Sequence, residues 1–139
     1  MDFNDPKIQE KSNALAHELI EAVASGSATA YSYKCRITTG VVGAGYVHVQ
    51  FSKGDHVVAE FKGVPILGVG GYVGWGTAWS NAPVENMKGK KAGFTMEFVG
   101  VLGGTAHIQI TNLESFTCNG STGGIGIGAG VSSGPGEFF

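Results

Sequence analysis

The residues of this chain that could do chemistry are few and scattered. There are four histidines (His17, His48, His56 and His107), two cysteines and a thin spread of carboxylates. His48 and His107 stand at echoed places, in His48-Val49-Gln50 and His107-Ile108-Gln109. Both fall on the polar side of alternating segments. If they converged, they would make a metal pair or a pH sensor. Neither has a carboxylate or thiolate beside it along the chain. No metal site and no cofactor are therefore expected, and the two histidines are kept as pH-sensing candidates. Glu60, Glu97 and Glu114 are spread singly, so nothing marks the paired carboxylates of a glycosidase.

Two motifs need weighing. Gly130-Val131-Ser132-Ser133-Gly134 matches G-x-S-x-G, but a nucleophile elbow needs a strand, a turn and a following helix, and the chain ends first. Gly124-Ile125-Gly126-Ile127-Gly128 has the glycine spacing of a dinucleotide fingerprint without the βαβ unit that would use it. Asn119-Gly120-Ser121 is a glycosylation sequon, meaningful only in a eukaryotic secretory pathway. Cys35 and Cys118 are too few for a disulfide framework, and each reads as a small buried apolar residue. The chain is read as non-enzymatic. The side chains best suited to hold a ligand are aromatic: Tyr46, Tyr72, Trp75 and Trp79.

The bulk composition agrees. With 139 residues the chain makes one domain with a real core. Charged residues are 14%, against about 25% in an average domain, and 42% are hydrophobic, so the chain should fold. A net charge of −2 without a basic stripe argues against nucleic acid. On the same grounds a strongly anionic membrane is not favoured. No run approaches the ~18 apolar residues of a spanning helix. The N-terminus has no basic, apolar leader pattern. The expectation is therefore residence in the cytoplasm, export by another route, or a leader already removed.

The elements that must position these residues begin with a helix. Asp5-Pro6 suits an N-cap and first turn, Ile8, Leu15, Leu19 and Val23 recur at helical spacing, and Gly26 closes the element. Residues 1–26 thus form one amphipathic helix, and residues 27–139 one β-domain. From Ala28 the period becomes two. Tyr31, Tyr33, Cys35 and Ile37 share a face, then Val47, Val49 and Phe51, with a tight turn at Lys53-Gly54-Asp55 before the strand from His56 to Phe61. The stretch from Glu60 to Trp79 is the centre of the design. Its last segment carries Val73, Trp75, Thr77 and Trp79 on one face and Gly74, Gly76 and Ala78 on the other. Such a strand lets another backbone press close. Ser80 to Lys91 reads as a polar loop. Phe94, Met96 and Phe98, then Ala106, Ile108 and Ile110, alternate in two further strands, and Glu114 to Asn119 reads as another. The last strand places Ile125, Ile127, Ala129 and Val131 opposite glycines, and Glu137-Phe138-Phe139 reads as a stub.

Equivalent features in the two halves lie about 60 residues apart, the size of one four-stranded Greek key. The fold predicted is all-β: a compact eight-stranded antiparallel barrel of two Greek-key units behind one N-terminal helix, its interior filled by side chains.

Phe61-Lys62-Gly63, Leu67-Gly68-Val69-Gly70 and Trp75-Gly76-Thr77, with the later Gly103…Ile108…Ile110 strand, resemble the central motif of the virulence-associated (Vap) proteins of actinobacterial pathogens over residues 28–139. The resemblance implies an eight-stranded barrel without an enzyme site, secreted and acting in host–pathogen interaction at phagosomal membranes. The function expected is a non-enzymatic interaction barrel working through a protein or lipid-membrane surface. The alternative is a small-ligand or carbohydrate binder using its aromatics. Oligomeric state is left open.

Overall fold

The computed structural model describes Lys7 and residues 31–40, 45–65, 71–101 and 104–139, with backbone only over 99–101 and 127–130. The predicted N-terminal helix lies outside the described residues except for Lys7, which is helical and exposed.

Seven strands follow in order: β1 (Tyr31–Gly40), β2 (Tyr46–Lys53), β3 (His56–Gly63), β4 (Tyr72–Ser80), β5 (Lys91–Val101), β6 (Gly104–Thr111) and β7 (Thr117–Phe138). All pairings are antiparallel. β7 serves as two strands. Its first part pairs with β4 on one side and β6 on the other. Its second part pairs with β5 from Ile127 to Glu137 and with β3 from Gly136 to Phe138. Because β5 and β6 are themselves antiparallel, the two parts of β7 run in opposite senses. The circuit β3-β2-β1-β4-β7-β6-β5-β7-β3 therefore closes an eight-stranded barrel. Of the predicted separate strand at 114–119 only 117–119 are strand, residues 114 and 115 lying in a bend before it, and those three residues and the glycine-rich strand at 123–131 are parts of this one long element.

Alternation decides what faces inward. Tyr33, Cys35 and Ile37, Val47, Val49 and Phe51, and Phe94, Met96 and Phe98 are buried, while Ser32, Lys34, Arg36, His48, Gln50, Thr95 and Glu97 beside them are more accessible. Closure also removes the exposed edges that an open sheet would leave unpaired.

The interior is full. Phe138 is fully buried, with its ring centroid 5.1 Å from Phe61, 5.5 Å from Phe116 and 6.1 Å from Phe51. Burying each such side chain contributes about 1.5–3 kcal/mol. The predicted stub is thus a closing element. Glu60 N–H donates to the Phe139 carbonyl at 2.9 Å and Phe139 N–H donates back at 2.8 Å. The predicted polar loop likewise holds a 3₁₀ turn, Val84–Met87, whose Val84 and Met87 are buried in the core. Its Lys88 to Lys91 segment is exposed as expected.

Candidate functional site

β4 has its bare face inside and its bulky face outside. Tyr72, Gly74 and Ala78 are buried, whereas Trp75 is 59% exposed and Trp79 37%. The physical reason is lack of room. A Cβ at Gly76 would overlap the Ser121 carbonyl oxygen, and one at Gly124 the Val73 carbonyl oxygen. Inside the barrel the neighbouring backbones occupy the space that side chains would need, so the large side chains of β4 go to the outer wall.

That wall spans β1, β4 and the first part of β7. Across it Arg36 pairs with Trp75 and Trp75 with Gly123, while Thr38 pairs with Val73 and Val73 with Ile125. Ile125 is 68% exposed. The Arg36 guanidinium carbon sits 5.6 Å from the Trp75 ring centroid, in cation–π range. Among the described residues, the outward positions of these three strands carry Lys34 and Arg36 and no Asp or Glu. The strand acids among the described residues lie elsewhere, Glu60 on β3, Glu97 on β5 and Glu137 at the end of β7, and Asp55, Glu85 and Glu114 lie in turns. The net charge of −2 thus hides a locally cationic, aromatic face.

Beside this wall is a groove of about 410 Å³, bordered by Trp79 and lined by Glu97, His107, Gln109, Asn119 and Ser121. Asn119 lies between Trp79 of β4 and Gln109 of β6 in the strand register. Its Nδ2 is buried and has no hydrogen-bond partner among the described residues. A buried donor left in that state costs about 1–3 kcal/mol. The same burial, inside a strand paired on both sides, removes the Asn119 sequon from use as a glycosylation site.

The predicted aromatic set is divided. Trp75 and Trp79 share the wall. Tyr46 is exposed on β2, and Tyr72 is inside the barrel, its hydroxyl 2.9 Å from Thr122 Oγ1. The two histidines do not converge. β2 and β6 stand four strands apart on the eight-strand circuit, and both side chains point outward. Each nevertheless has a carboxylate near it that linear spacing did not reveal. His48 Nε2 is 3.0 Å from Glu60 Oε1, and Glu97 is the register partner of His107. Gln50 Nε2 donates to the same Glu60 oxygen at 3.2 Å. That hydrogen bond, with the one from His48, holds the Glu60 carboxyl below its ordinary value. No group of three or more metal-ligating side chains occurs among the described residues.

Cys35 and Cys118 are free thiols inside the barrel. Burial pushes Cys35 up to about 11; burial and then the neighbouring Cys35 push Cys118 higher. Ser132 is fully buried within β7, so G-x-S-x-G has no elbow here. Among the described residues, no helix is long and apolar enough to cross a membrane.

Gln109, Asn119, Ser121 and Glu97 were not foreseen as site residues. Their spacing in sequence is unremarkable, and only the β6–β7 and β5–β6 registers bring them together.

No protein-family model, curated protein or solved structure matches this chain.

Proposed function

We propose that this protein is a non-enzymatic interaction barrel that engages a lipid surface through the outer wall of β1, β4 and the first part of β7. The observation that carries the reading is the exposure of Trp75 and Ile125 on one wall of a barrel whose interior is filled. An exposed apolar patch of this kind marks a contact surface. Tryptophan suits the water–lipid boundary because its ring is apolar and its N–H polar. Lys34 and Arg36 beside it supply attraction to anionic headgroups, worth about 1 kcal/mol per cation near the surface. The wall is bordered on both sides by a histidine strand. His48 pairs with Thr38 of β1, and His107 pairs with Ser121 of β7. Glu60 lies beside His48, and Glu97 is the register partner of His107.

The strand order β3-β2-β1-β4, repeated as β7-β6-β5-β7, supports reading the barrel as two Greek-key halves. That topology and the filled interior fit the resemblance to virulence-associated proteins. A secreted, host-directed effector is the biological role that follows from it.

The test is co-sedimentation with neutral vesicles and with vesicles containing anionic lipid, at neutral and mildly acidic pH. Binding should rise with anionic lipid, fall with salt, and be lost in Trp75→Ala. Absence of binding under every condition sinks the lipid reading and leaves a protein partner for the same wall.

A further inference from the structure

We infer that the groove between Trp79 and the β5–β6 hairpin is a binding site for a neutral saccharide. This goes beyond the lipid-facing wall and stands without it, because Trp75 and Ile125 take no part.

One border of the groove is the Trp79 indole, 37% exposed; Asn119, Gln109, Ser121, His107 and Glu97 supply polar groups, and Ile108 and Gly120 complete a lining that is apolar over most of its surface. A sugar ring has an apolar C–H face and a rim of hydroxyls that both donate and accept. The negative face of an indole attracts the C–H face. Amides offer a donor and an acceptor on one short side chain, a hydroxyl offers both, and a carboxylate accepts two hydroxyls at once. No Lys or Arg lines the groove, and Glu97 repels anions, so phosphates and acidic ligands are disfavoured. The volume of about 410 Å³ falls within the span of about 300–1,000 Å³ usual for small-ligand sites.

A second, independent observation points the same way. The Asn119 Nδ2 donor is buried without a partner among the described residues, and Asn119 lies beside Trp79 in the register. Buried donors in folded proteins are nearly always paired, and one that is not calls for an explanation. Rotation of the Asn119 amide toward the groove on binding would give Nδ2 a ligand hydroxyl as its acceptor. His107 and Glu97, register partners across β5 and β6, stand at the far side to engage further hydroxyls.

The same sugar chemistry is offered by a free saccharide or by a glycolipid headgroup. The experiment is saturation-transfer NMR of the full chain with methyl β-glucoside, maltose, cellobiose and lactose, with inorganic phosphate as the anionic probe. It is run beside sedimentation with vesicles bearing neutral glycolipid. Transfer to sugar C–H protons is expected, abolished in Trp79→Ala and in the groove-filling Ser121→Phe, weakened at least tenfold in Asn119→Ala, and kept in Trp75→Ala. Binding confined to glycolipid vesicles, with the same dependence on Trp79 and Ser121, assigns the headgroup as the source. Absence of transfer from every sugar and of binding to glycolipid vesicles overturns the site. So does binding unchanged by Ser121→Phe, which remains decisive if Trp79→Ala fails to fold. Loss of plain-vesicle binding in Trp75→Ala with sugar binding intact separates this site from the lipid-facing wall.

Discussion

Gly76 on β4 and Ser121 on β7 leave no room between them: a Cβ at Gly76 would overlap the Ser121 carbonyl oxygen. A backbone atom cannot swing aside as a side-chain tip does. Gly76→Ala should therefore destabilise the barrel by about 3 kcal/mol, the upper end of ordinary overpacking. Gly71, where an added Cβ meets nothing within 4 Å, is the control. Urea unfolding of the two alanine variants should give a large shift for Gly76 and little for Gly71. Equal shifts would show that glycine at 76 reflects chain flexibility rather than close approach.

The same relationship explains how much was legible in the sequence. The alternation in Val47, Val49 and Phe51 and in Phe94, Met96 and Phe98 marks strands and their buried faces correctly, because period two is a direct consequence of the pleat. The bulky and bare faces of β4 are also plain in the letters. Which of them points inward is not, since hydrophobicity alone would enclose two tryptophans, and only barrel curvature turns them out. Glu137-Phe138-Phe139 fails for a related reason: three residues carry no periodicity, yet the return of β7 to β3 makes them the closure. The groove was illegible because Trp79, Asn119, Gln109 and Glu97 come from four different strands, and register is a tertiary fact.

The buried hydroxyl of Tyr33 gives an alkaline signature. It donates to Glu85 Oε1 at 2.8 Å and accepts from Val84 N–H at 3.2 Å. Burial first, and then the Glu85 hydrogen bond, push the phenol up to about 12. The folded value lies above the unfolded one, so stability is intact below about pH 10 and is lost as pH rises through the folded value near 12. Tyr33→Phe should flatten this alkaline loss, and at neutral pH it should cost about 1–3 kcal/mol by stranding the Val84 N–H. Denaturant unfolding from pH 7 upward reads both effects.

Glu60 shifts the opposite way. The Gln50 hydrogen bond is the largest cause of its lowered carboxyl, with His48 next. A lowered folded value means the contribution is present above about pH 4.3, the unfolded value, and is lost as pH falls through the folded one. Gln50→Ala should raise the Glu60 titration midpoint toward the ordinary value, followed by NMR of the carboxyl carbon. An unchanged midpoint would show that the contact with Gln50 is not formed in solution.

The two thiols should be silent until the barrel opens. Cys35 and Cys118 are 4% and 1% exposed, and burial raises both thiols, so little thiolate is present and little of it is reachable. Ellman's reagent should therefore react with neither in the native protein at neutral pH and with both in denaturant. Rapid reaction of one thiol without denaturant would show a local opening of β1 or β7 well below the cost of global unfolding.

Phe138 tests the closure itself. Its side chain is fully buried against Phe51, Phe61 and Phe116, while the backbone bonds between Glu60 and Phe139 hold the end of β7 to β3. Phe138→Ala should cost about 3–5 kcal/mol, the range for a large aromatic removed from a rigid core. Deleting Phe138 and Phe139 together should cost more, because it also frees the Glu60 N–H and carbonyl and leaves the Glu60–Phe61 part of β3 without its β7 partner. Amide exchange would separate the two changes. The substitution should lower protection across the whole barrel, while the deletion should in addition expose Glu60 on β3 first. A deletion that leaves both stability and Glu60 protection unchanged would mean that the barrel closes without its last strand segment.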